Sequence, residues 1–318
     1  PALLQACSRG FWPKTAAPAA PRVAVLDGRV RVAYLSYDFR EHAISQLCVE
    51  LFERHDRAAF EFFPISTGPD DGSAMRRRVA GAFEHFIDAQ AMSDTDIVKL
   101  IRDAEIDILV TIDGHTIGMR AGVLWQRPAP ITAHYLGFPG TLGTPTIDYY
   151  IADSICIPSN AGRFFDEAIV RLPGSYQPSD SQRPRPTEGL AREDLGLDRD
   201  AFVLCAFHGA LKLSKDAVET YLEILRRAAG SVLWMLADDV VRRNLVAFAE
   251  AKGIDPSRLV FASVAGREEY FRRLATADLF LDAWPYGAHT TAGEALWVGL
   301  PVLTILGLQF SFLLAGAI

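Results

Sequence analysis

The sequence predicts an α/β protein built from two doubly wound domains. Strand and helix patterns alternate along two stretches of the chain, the order expected of parallel sheets with right-handed crossovers. The clearest strand patterns are apolar almost throughout, as parallel strands covered on both faces should be. Half of the 318 residues are hydrophobic and 22% are charged, a composition that supports a sizeable core and excludes a disordered chain.

The first stretch alternates apolar strand patterns with amphipathic helical patterns. Strands are predicted at 30–37, 61–66, 84–88, 107–112 and 131–135. Helices are predicted at about 42–54, 73–82 and 93–104. The last of these opens with Ser93 and has Asp96 three positions later, a spacing typical of a capped helix start.

The second stretch repeats this alternation. Strands are predicted at 202–207, 231–236, 259–262, 278–282 and 301–305, and helices at 214–228, 239–252, 267–275 and 290–298. Between the two stretches, residues 175–187 are rich in Pro, Ser and charge and predict an exposed connection. We therefore divide the chain into an N-terminal extension (1–29), an N-terminal lobe (30–174), a linker (175–190) and a C-terminal lobe (191–318), with a cleft between the lobes.

Charge and cysteine content narrow the class of protein further. A net charge of −7 and a pI of about 5.5 give no basic field for nucleic acid or an anionic membrane. The four cysteines lie far apart without metal or disulfide spacing, which favours a reducing, cytoplasmic setting. No charged residue follows Glu294, so the end of the chain is long enough to nominate a membrane span. Gly299 and Pro301 interrupt that run, and a helix end followed by a buried strand explains it better.

Ligands of open parallel sheets bind beyond the carboxyl ends of the strands, so residues directly after strands are the candidates. Thr290 and Thr291 open a predicted helix after strand 278–282, where hydroxyls and helix N–H groups suit a phosphate. Capping of the helix explains the two threonines equally well on spacing alone. Lys212 lies in the loop after strand 202–207 and suits a diphosphate, and Glu294 suits a ribose or base. Both are also ordinary residues of a solvated surface.

Further candidates follow the strands of the first lobe. His42 opens the first helix, where it is placed for proton or hydrogen-bond work. The segments 113–116 and 136–143 supply several glycines, which allow close approach to a ligand or simply build turns. None of the seven histidines has paired metal spacing, and the acidic pair Asp94 and Asp96 is better explained as helix capping. We predict no metal.

The sequence resembles the catalytic region of the O-linked N-acetylglucosamine transferases and of their bacterial and SPINDLY-like relatives. It resembles a bacterial-type homologue of this family. The matching segments follow the family's order from about residue 29 to 306 and are specific only in combination. They are 31–42 (RVAYLSYDFREH), 66–72 (STGPDDG), 85–88 (HFID), 108–116 (ILVTIDGHT), 127–143 (RPAPITAHYLGFPGTLG), 231–236 (SVLWML) and 282–303 (DAWPYGAHTTAGEALWVGLPVL).

The resemblance implies a B-type glycosyltransferase with two Rossmann-like lobes. It implies a metal-independent, inverting transfer of a sugar, with UDP-N-acetylglucosamine the favoured donor and Ser or Thr hydroxyls of proteins the acceptors. The implied roles are diphosphate binding by Lys212, phosphate binding by Thr290 and Thr291 with His289 just before them, contact with sugar and acceptor by His42, and a sugar-pocket loop containing Gly137.

The sequence also departs from the family pattern. Gly209 replaces the usual glutamine and Leu211 the usual tyrosine before the lysine, and Ile44 replaces a threonine. Tyr270 stands where many members have a histidine that packs on uracil, and Glu294 stands where the animal enzymes have Asp. These changes keep open a GDP-fucose-type protein O-fucosyltransferase and a non-catalytic, truncated nucleotide-binding relative. A UDP-sugar 2-epimerase also stays open, because such enzymes have a similar two-lobe fold.

The ends of the chain differ from the family as well. The tetratricopeptide repeats that usually precede this region, and the C-terminal helices that usually follow it, have no counterpart in the sequence. We expect an apolar C-terminal segment without its usual cover to pack poorly or to recruit another chain.

Overall fold

A computed structural model describes residues 1–15, 18, 28–307, 313, 315–316 and 318. The chain divides into two compact units, Pro1–Gln182 and Arg183–Gly316. The division falls inside the segment 175–190. Each unit contains one parallel sheet with helices, so the predicted α/β class with two parallel sheets is confirmed.

The first unit contains seven strands and five α-helices among its described residues. The strands are β1 (Val30–Ser36), β2 (Phe60–Ser66), β3 (Ile87–Asp88), β4 (Ile108–Thr111), β5 (Ile131–Tyr135), β6 (Tyr149–Ala152) and β7 (Ala168–Arg171). The helices are α1 (Ala2–Phe11), α2 (Ala43–Glu53), α3 (Ala74–Gly81), α4 (Asp94–Asp103) and α5 (Ala121–Trp125). The strands are all parallel and lie in the order β3-β2-β1-β4-β5-β6-β7.

The second unit repeats this winding with five strands and four α-helices in its described part. The strands are β8 (Phe202–Ala206), β9 (Ser231–Leu236), β10 (Leu259–Ala262), β11 (Leu279–Leu281) and β12 (Val302–Leu303). The helices are α6 (Lys215–Arg227), α7 (Asp239–Ala251), α8 (Arg267–Leu274) and α9 (Thr290–Trp297). The parallel order β10-β9-β8-β11-β12 matches the first five positions of the first sheet, and both follow the dinucleotide-binding order.

Local sequence explains where several helices begin. Ser93 caps α4 by accepting a hydrogen bond from the Asp96 amide, as its spacing predicts. Ser214 caps α6 in the same way. Five apolar residues repeat at three- and four-residue spacing along α6 and are all buried: Ala217, Val218, Tyr221, Leu222 and Leu225. His42 precedes α2, and its ring accepts a hydrogen bond from the Ile44 amide. Propensity and capping therefore agree with the tertiary structure at these helices.

The sequence did not predict α1, α5, β6 or β7. Helix α5 and strands β6 and β7 have four or five residues each, too short for a periodic pattern to stand out. Helix α1 lies in the segment interpreted as an extension, yet it packs on the first unit. Its Arg9 and Gln5 side chains bind Asp166. Trp12, which follows it, is 4% exposed and donates from its indole nitrogen to the Leu142 carbonyl at 2.6 Å.

The uncharged end of the chain forms a helix end and a strand where it is described. Helix α9 ends at Trp297 and β12 covers Val302–Leu303. Across the described parts of the chain, no helix combines the length and the apolar character that a membrane crossing requires. The expectation about the apolar C-terminal segment falls mostly on residues 308–312, 314 and 317, which lie outside the described residues.

The packing of Trp12 predicts that α1 belongs to the folded first unit. Trp12→Ala should lower the free energy of unfolding by about 3–5 kcal/mol, because it removes a buried indole and its hydrogen bond. Leu3→Ala is the matched control, since Leu3 lies on the same segment and is 78% exposed. Urea unfolding measures both variants. Equal, small losses in the two would show that α1 is not part of the unit.

Candidate functional site

His42 lies in the first unit, in the loop between β1 and α2 that begins at the carboxyl end of a central strand. The Asp38 carboxylate lies 3.3 Å from the His42 Nδ1 atom and 3.4 Å from the Arg40 guanidinium. The loop is fixed by its own backbone: the Asp38 carbonyl accepts the Arg40 amide at 2.8 Å and the Ser45 hydroxyl at 2.6 Å. The imidazole therefore has a defined position beside a carboxylate.

The Nδ1 atom of His42 faces two partners that require opposite protonation states of that atom. It accepts from the Ile44 amide at 3.3 Å when unprotonated, and it donates to Asp38 when it carries a proton. Burial lowers the pKa of His42, against the opposing pull of Asp38, while burial raises the pKa of Asp38. If Nδ1 donates to Asp38, the Nε2 atom of neutral His42 is left as a proton acceptor, the arrangement that suits a general base.

Gly137 follows β5 in the same unit and packs directly on the end of β4. A Cβ atom at this position would lie 2.0 Å from the Ile112 carbonyl oxygen and 2.6 Å from the Asp113 carbonyl oxygen. Leu136, just before it, has a φ of 67°, an uncommon value for a branched side chain. The loop after β5 is thus in backbone contact with the segment after β4, and only glycine fits at 137 without displacing it.

In the second unit, Asp282 folds the loop between β11 and α9. Its Oδ1 atom accepts from the amides of Ala283 at 2.8 Å and Ala288 at 2.6 Å. Its Oδ2 atom accepts from the Thr304 hydroxyl at 2.6 Å, beyond the next strand. One buried carboxylate therefore closes the loop that contains residues 284–287 and joins it to the end of β12.

Lys212 reaches this loop from the end of β8. Its Nζ atom donates to the Gly287 carbonyl at 3.1 Å and lies 4.7 Å from the centre of the Tyr286 ring. Burial lowers the pKa of Lys212, and the nearby Asp282 carboxylate opposes that shift. The lysine is thus a partly desolvated cation held against the segment that precedes α9.

His289, Thr290 and Thr291 form the start of α9. The first backbone hydrogen bond of the helix runs from the Gly293 amide to the His289 carbonyl, so the amides of the first turn precede its internal bonding. The Thr291 hydroxyl oxygen is buried and has no hydrogen-bond partner among the described residues. Neither threonine side chain caps the helix, which removes the capping explanation for the pair. Burial lowers the pKa of His289 to about 4, with Lys212 adding to the shift, so this imidazole is neutral at pH 7.

Glu294 lies one turn along α9 and is 6% exposed. Its carboxylate pairs with Arg267 of α8 at 3.5 Å, and burial raises its pKa. Burial raises the pKa of Tyr270, and the nearby Glu294 carboxylate raises it further. The Tyr270 hydroxyl nevertheless makes no hydrogen bond of ordinary geometry with the described residues. Two polar groups with spare hydrogen-bonding capacity thus lie beside the helix that Thr290 opens.

The structure brings the predicted site residues together in two groups. Lys212, Tyr270, His289, Thr290, Thr291 and Glu294 belong to the second unit, linked through the 284–291 segment, α8 and α9. His42 and Gly137 belong to the first unit, where residues 36–38 and 112–113 connect them. Neither Asp113 nor Asp282 is among the predicted site residues, although each lies one or two residues beyond the end of a strand.

Metal binding has one geometric candidate among the described residues. Glu61, Glu84 and His85 place their ligand atoms within 4.8 Å of one another. Arg29 pairs with both glutamates and Arg31 pairs with Glu61, so these cations already neutralise the acidic group. Glu61 also lies at the amino end of β2, whereas His42 follows the carboxyl end of β1. The prediction that the site uses no metal stays a prediction.

Comparison with known proteins decides the family. The profile of Glycosyl transferase family 41 matches residues 14–187 and 179–311. The chain belongs to glycosyltransferase family 41. This confirms the resemblance drawn from the sequence motifs.

Named relatives agree with the family. The chain is 34% identical over 283 residues to a probable UDP-N-acetylglucosamine–peptide N-acetylglucosaminyltransferase, SEC, of Arabidopsis thaliana, covering 87% of this chain and 29% of that protein. It is 26% identical over 304 residues to the SPINDLY protein of Solanum lycopersicum, which carries the same enzyme name, covering 93% and 32%. The chain thus spans about a third of the length of these curated relatives.

Solved structures confirm the fold. A mutant O-GlcNAc transferase of Thermobaculum terrenum superposes with a TM-score of 0.86 at 26% identity, over 97% of this chain and 58% of that one. The lipopolysaccharide outer core galactosyltransferase WaaB superposes with a TM-score of 0.52 at 13% identity, over 86% and 80%, and shows the fold alone. The predicted B-type glycosyltransferase fold with two Rossmann-like sheets is confirmed.

The close packing around Gly137 leads to a prediction about the stability of the protein. Gly137→Ala should lower the free energy of unfolding by about 1–3 kcal/mol, because its methyl group would overlap two carbonyl oxygens. Gly81→Ala is the control, since a Cβ there meets nothing within 4 Å. Thermal or urea unfolding measures both, and equal stability of the two variants would contradict the packing.

The buried carboxyl group of Asp113 leads to a prediction about how stability depends on pH. Burial raises its pKa to about 7, so between roughly pH 4 and 7 the folded state binds more protons than the unfolded state. This contribution to stability is fully present below the unfolded pKa and is lost as the pH rises through 7. The free energy of unfolding of Asp113→Asn should therefore rise relative to that of the wild type from pH 5 to 7, by up to about 1.4 kcal/mol per pH unit. Urea unfolding at pH 5, 6, 7 and 8 tests it, and parallel stability curves would contradict it.

Proposed function

We propose that this chain is the catalytic part of a protein O-glycosyltransferase. It transfers N-acetylglucosamine from UDP-N-acetylglucosamine to Ser or Thr hydroxyls of proteins, with inversion and without a metal. One observation carries the proposal: Lys212 lies against the segment that opens α9, where Thr291 holds a buried hydroxyl without a partner in the described structure. Family membership and the names of the relatives supply the reaction class.

The charges around Lys212 suit a diphosphate. A helix N-terminus carries about half a positive charge and presents N–H groups that no helical carbonyl accepts. The adjacent lysine adds a full charge on a flexible stem, and its present partner, the Gly287 carbonyl, is a weaker acceptor than a phosphate oxygen. His289 is neutral at pH 7 and adds no charge of its own. A nucleoside diphosphate therefore gains more from this site than a neutral ligand does.

In the proposed reaction the acceptor oxygen attacks the anomeric carbon from the face opposite the nucleotide. The bond from that carbon to the diphosphate oxygen breaks, UDP leaves with the electron pair, and the acceptor proton passes to a base. Lys212 and the start of α9 stabilise the charge that develops on the leaving oxygen, the kind of electrostatic contribution that is usually largest in catalysis. His42, with Asp38 beside Nδ1, orients the acceptor or relays its proton.

Recognition of the nucleoside is proposed for Tyr270 and Glu294. Tyr270 offers an aromatic ring for stacking, and the Glu294 carboxylate accepts hydrogen bonds from ribose hydroxyls. The curated relatives are named for UDP-N-acetylglucosamine, which favours uracil over guanine. We place the protein in the cytoplasm, because all four cysteines are free thiols.

Removing the lysine charge tests the proposal. Lys212→Ala should weaken UDP binding about 10- to 100-fold and abolish sugar transfer, because it removes a charge-assisted contact to phosphate. Lys215→Ala is the matched control, since Lys215 is exposed at the start of α6 and pairs only loosely with Glu219 at 3.9 Å. Calorimetry with UDP and a transfer assay on acceptor protein measure the two steps.

Three outcomes would contradict parts of the proposal. Wild-type turnover in Lys212→Ala would remove the diphosphate assignment. Tighter binding of GDP than of UDP would favour a GDP-sugar donor such as GDP-fucose. Epimerisation of UDP-N-acetylglucosamine without an acceptor, followed by NMR, would show a 2-epimerase instead of a transferase.

A further inference from the structure

Asp113 occupies the junction of the two loops that hold His42 and Gly137. It is 1% exposed and follows β4 at the carboxyl edge of the first sheet. Its Oδ1 atom accepts from the Ser36 hydroxyl at 2.7 Å, and its Oδ2 atom accepts from the Tyr37 amide at 2.9 Å. Its own carbonyl oxygen packs against Gly137. The side chain thus holds the loop after β1, and its backbone supports the loop after β5.

A set of hydrogen bonds leads from Asp113 to Asp38, whose carboxylate lies beside the His42 ring. The Ser36 hydroxyl that donates to Asp113 accepts the Asp38 amide at 2.9 Å. The Asp38 carboxylate lies 3.3 Å from the Nδ1 atom of His42. Each bond in this set fixes the donor or acceptor of the next one. The orientation of Asp38 therefore depends on where Asp113 holds Ser36 and Tyr37.

A role in stability alone does not explain Asp113, because burying its carboxylate destabilises the fold. In the described part of the chain, no cationic side chain lies within 4.0 Å of its carboxylate, and Asp38 adds a second acidic group nearby. Burying an unpaired carboxylate costs free energy that two or three neutral donors offset only in part. An apolar side chain of similar size would avoid this cost but could accept neither the Ser36 hydroxyl nor the Tyr37 amide.

We propose that Asp113 is a positioning residue, which fixes the loop 36–42 so that Asp38 and His42 keep the geometry that sugar transfer requires. The inference rests on the proposed function, because it assumes that His42 serves the reaction. It adds a residue that touches neither donor nor acceptor and acts through the hydrogen bonds of Ser36 and Tyr37.

The chain offers a matched control at the other end of the same strand. Asp107 precedes β4, is also buried, and its carboxylate accepts the Arg31 amide at 2.9 Å. It therefore does for the amino edge of the sheet what Asp113 does for the carboxyl edge. A general loss of stability should follow from removing either aspartate, whereas loss of catalytic geometry should follow from removing Asp113 alone.

The experiment compares Asp113→Ala, Asp113→Asn and Asp107→Ala in the full chain. Asp113→Ala should lower kcat about 10- to 100-fold, because misplacing a reacting group by about 1 Å costs that much. Its Kd for UDP should change less than about threefold, since the groups proposed to bind the diphosphate lie in the second unit and only a lost contact to it would cost more. Asp113→Asn should recover most of kcat, because its amide oxygen accepts the Ser36 hydroxyl. Asp107→Ala should keep wild-type kcat.

A second measurement follows His42 without requiring turnover. Burial lowers the pKa of His42, with Asp38 and Arg40 as the charges that face it. In Asp113→Ala a loosened loop should expose the imidazole, so its NMR titration should move upward, and in Asp107→Ala it should stay at the wild-type value. If Asp113→Ala does not fold, Ser36→Ala removes the connecting hydroxyl and should show the same two changes to a smaller degree.

The outcomes separate the inference from the proposed function. A wild-type chain that transfers no sugar defeats the proposed function, and the His42 titration still tests Asp113. A chain that transfers sugar, with kcat and His42 titration in Asp113→Ala equal to those in Asp107→Ala, overturns the positioning role. Equal loss of activity in both alanine variants would also overturn it, since that result indicates stability alone.

Discussion

The structure of both units depends on how backbone amides at the ends of one central strand are satisfied. Parallel strands leave amides unpaired where a neighbouring strand begins or ends, and inside a domain each of these needs an acceptor. Strand β4 meets this need with Asp107 at one end and Asp113 at the other. Strand β11 repeats the arrangement: Asp278 accepts the Val203 amide at 2.8 Å, and Asp282 accepts two amides of the following loop. Strand β4 lies next to β1, the first strand of its sheet in the chain, and β11 lies next to β8, the first strand of the second sheet.

The two aspartates at the carboxyl edges have consequences that those at the amino edges lack. Asp107 and Asp278 complete a ladder between strands, whereas Asp113 and Asp282 decide the conformation of loops. Asp282 closes the segment before α9, and that segment supplies the carbonyl that Lys212 contacts. Each half of the proposed machinery is therefore shaped by a buried acceptor that need not contact a substrate.

The strands and long helices could be predicted from sequence because their signals are local. Strands β5, β9 and β10 begin and end where the apolar runs predict, and the Ser93 cap is visible in the spacing of its neighbours. Helix α1 could not be predicted, because its role depends on Trp12 packing against residues more than a hundred positions away. The same reason hid Asp113 and Asp282. A carboxylate after a strand suggests a site, but its partners at Ser36 or Thr304 appear only when distant strands are neighbours.

The charge around Lys212 explains why a half-buried cation is tolerated there. Burial lowers its pKa, Asp282 opposes the shift, and the Gly287 carbonyl and Tyr286 ring supply partial negative charge. None of these partners neutralises the lysine fully, because the Asp282 oxygens are already occupied by Ala283, Ala288 and Thr304. A carboxylate free to pair with Lys212 would hold it more tightly and compete with a diphosphate. By binding its own loop, Asp282 stabilises the positive charge at a distance and leaves the ammonium group available for phosphate oxygens.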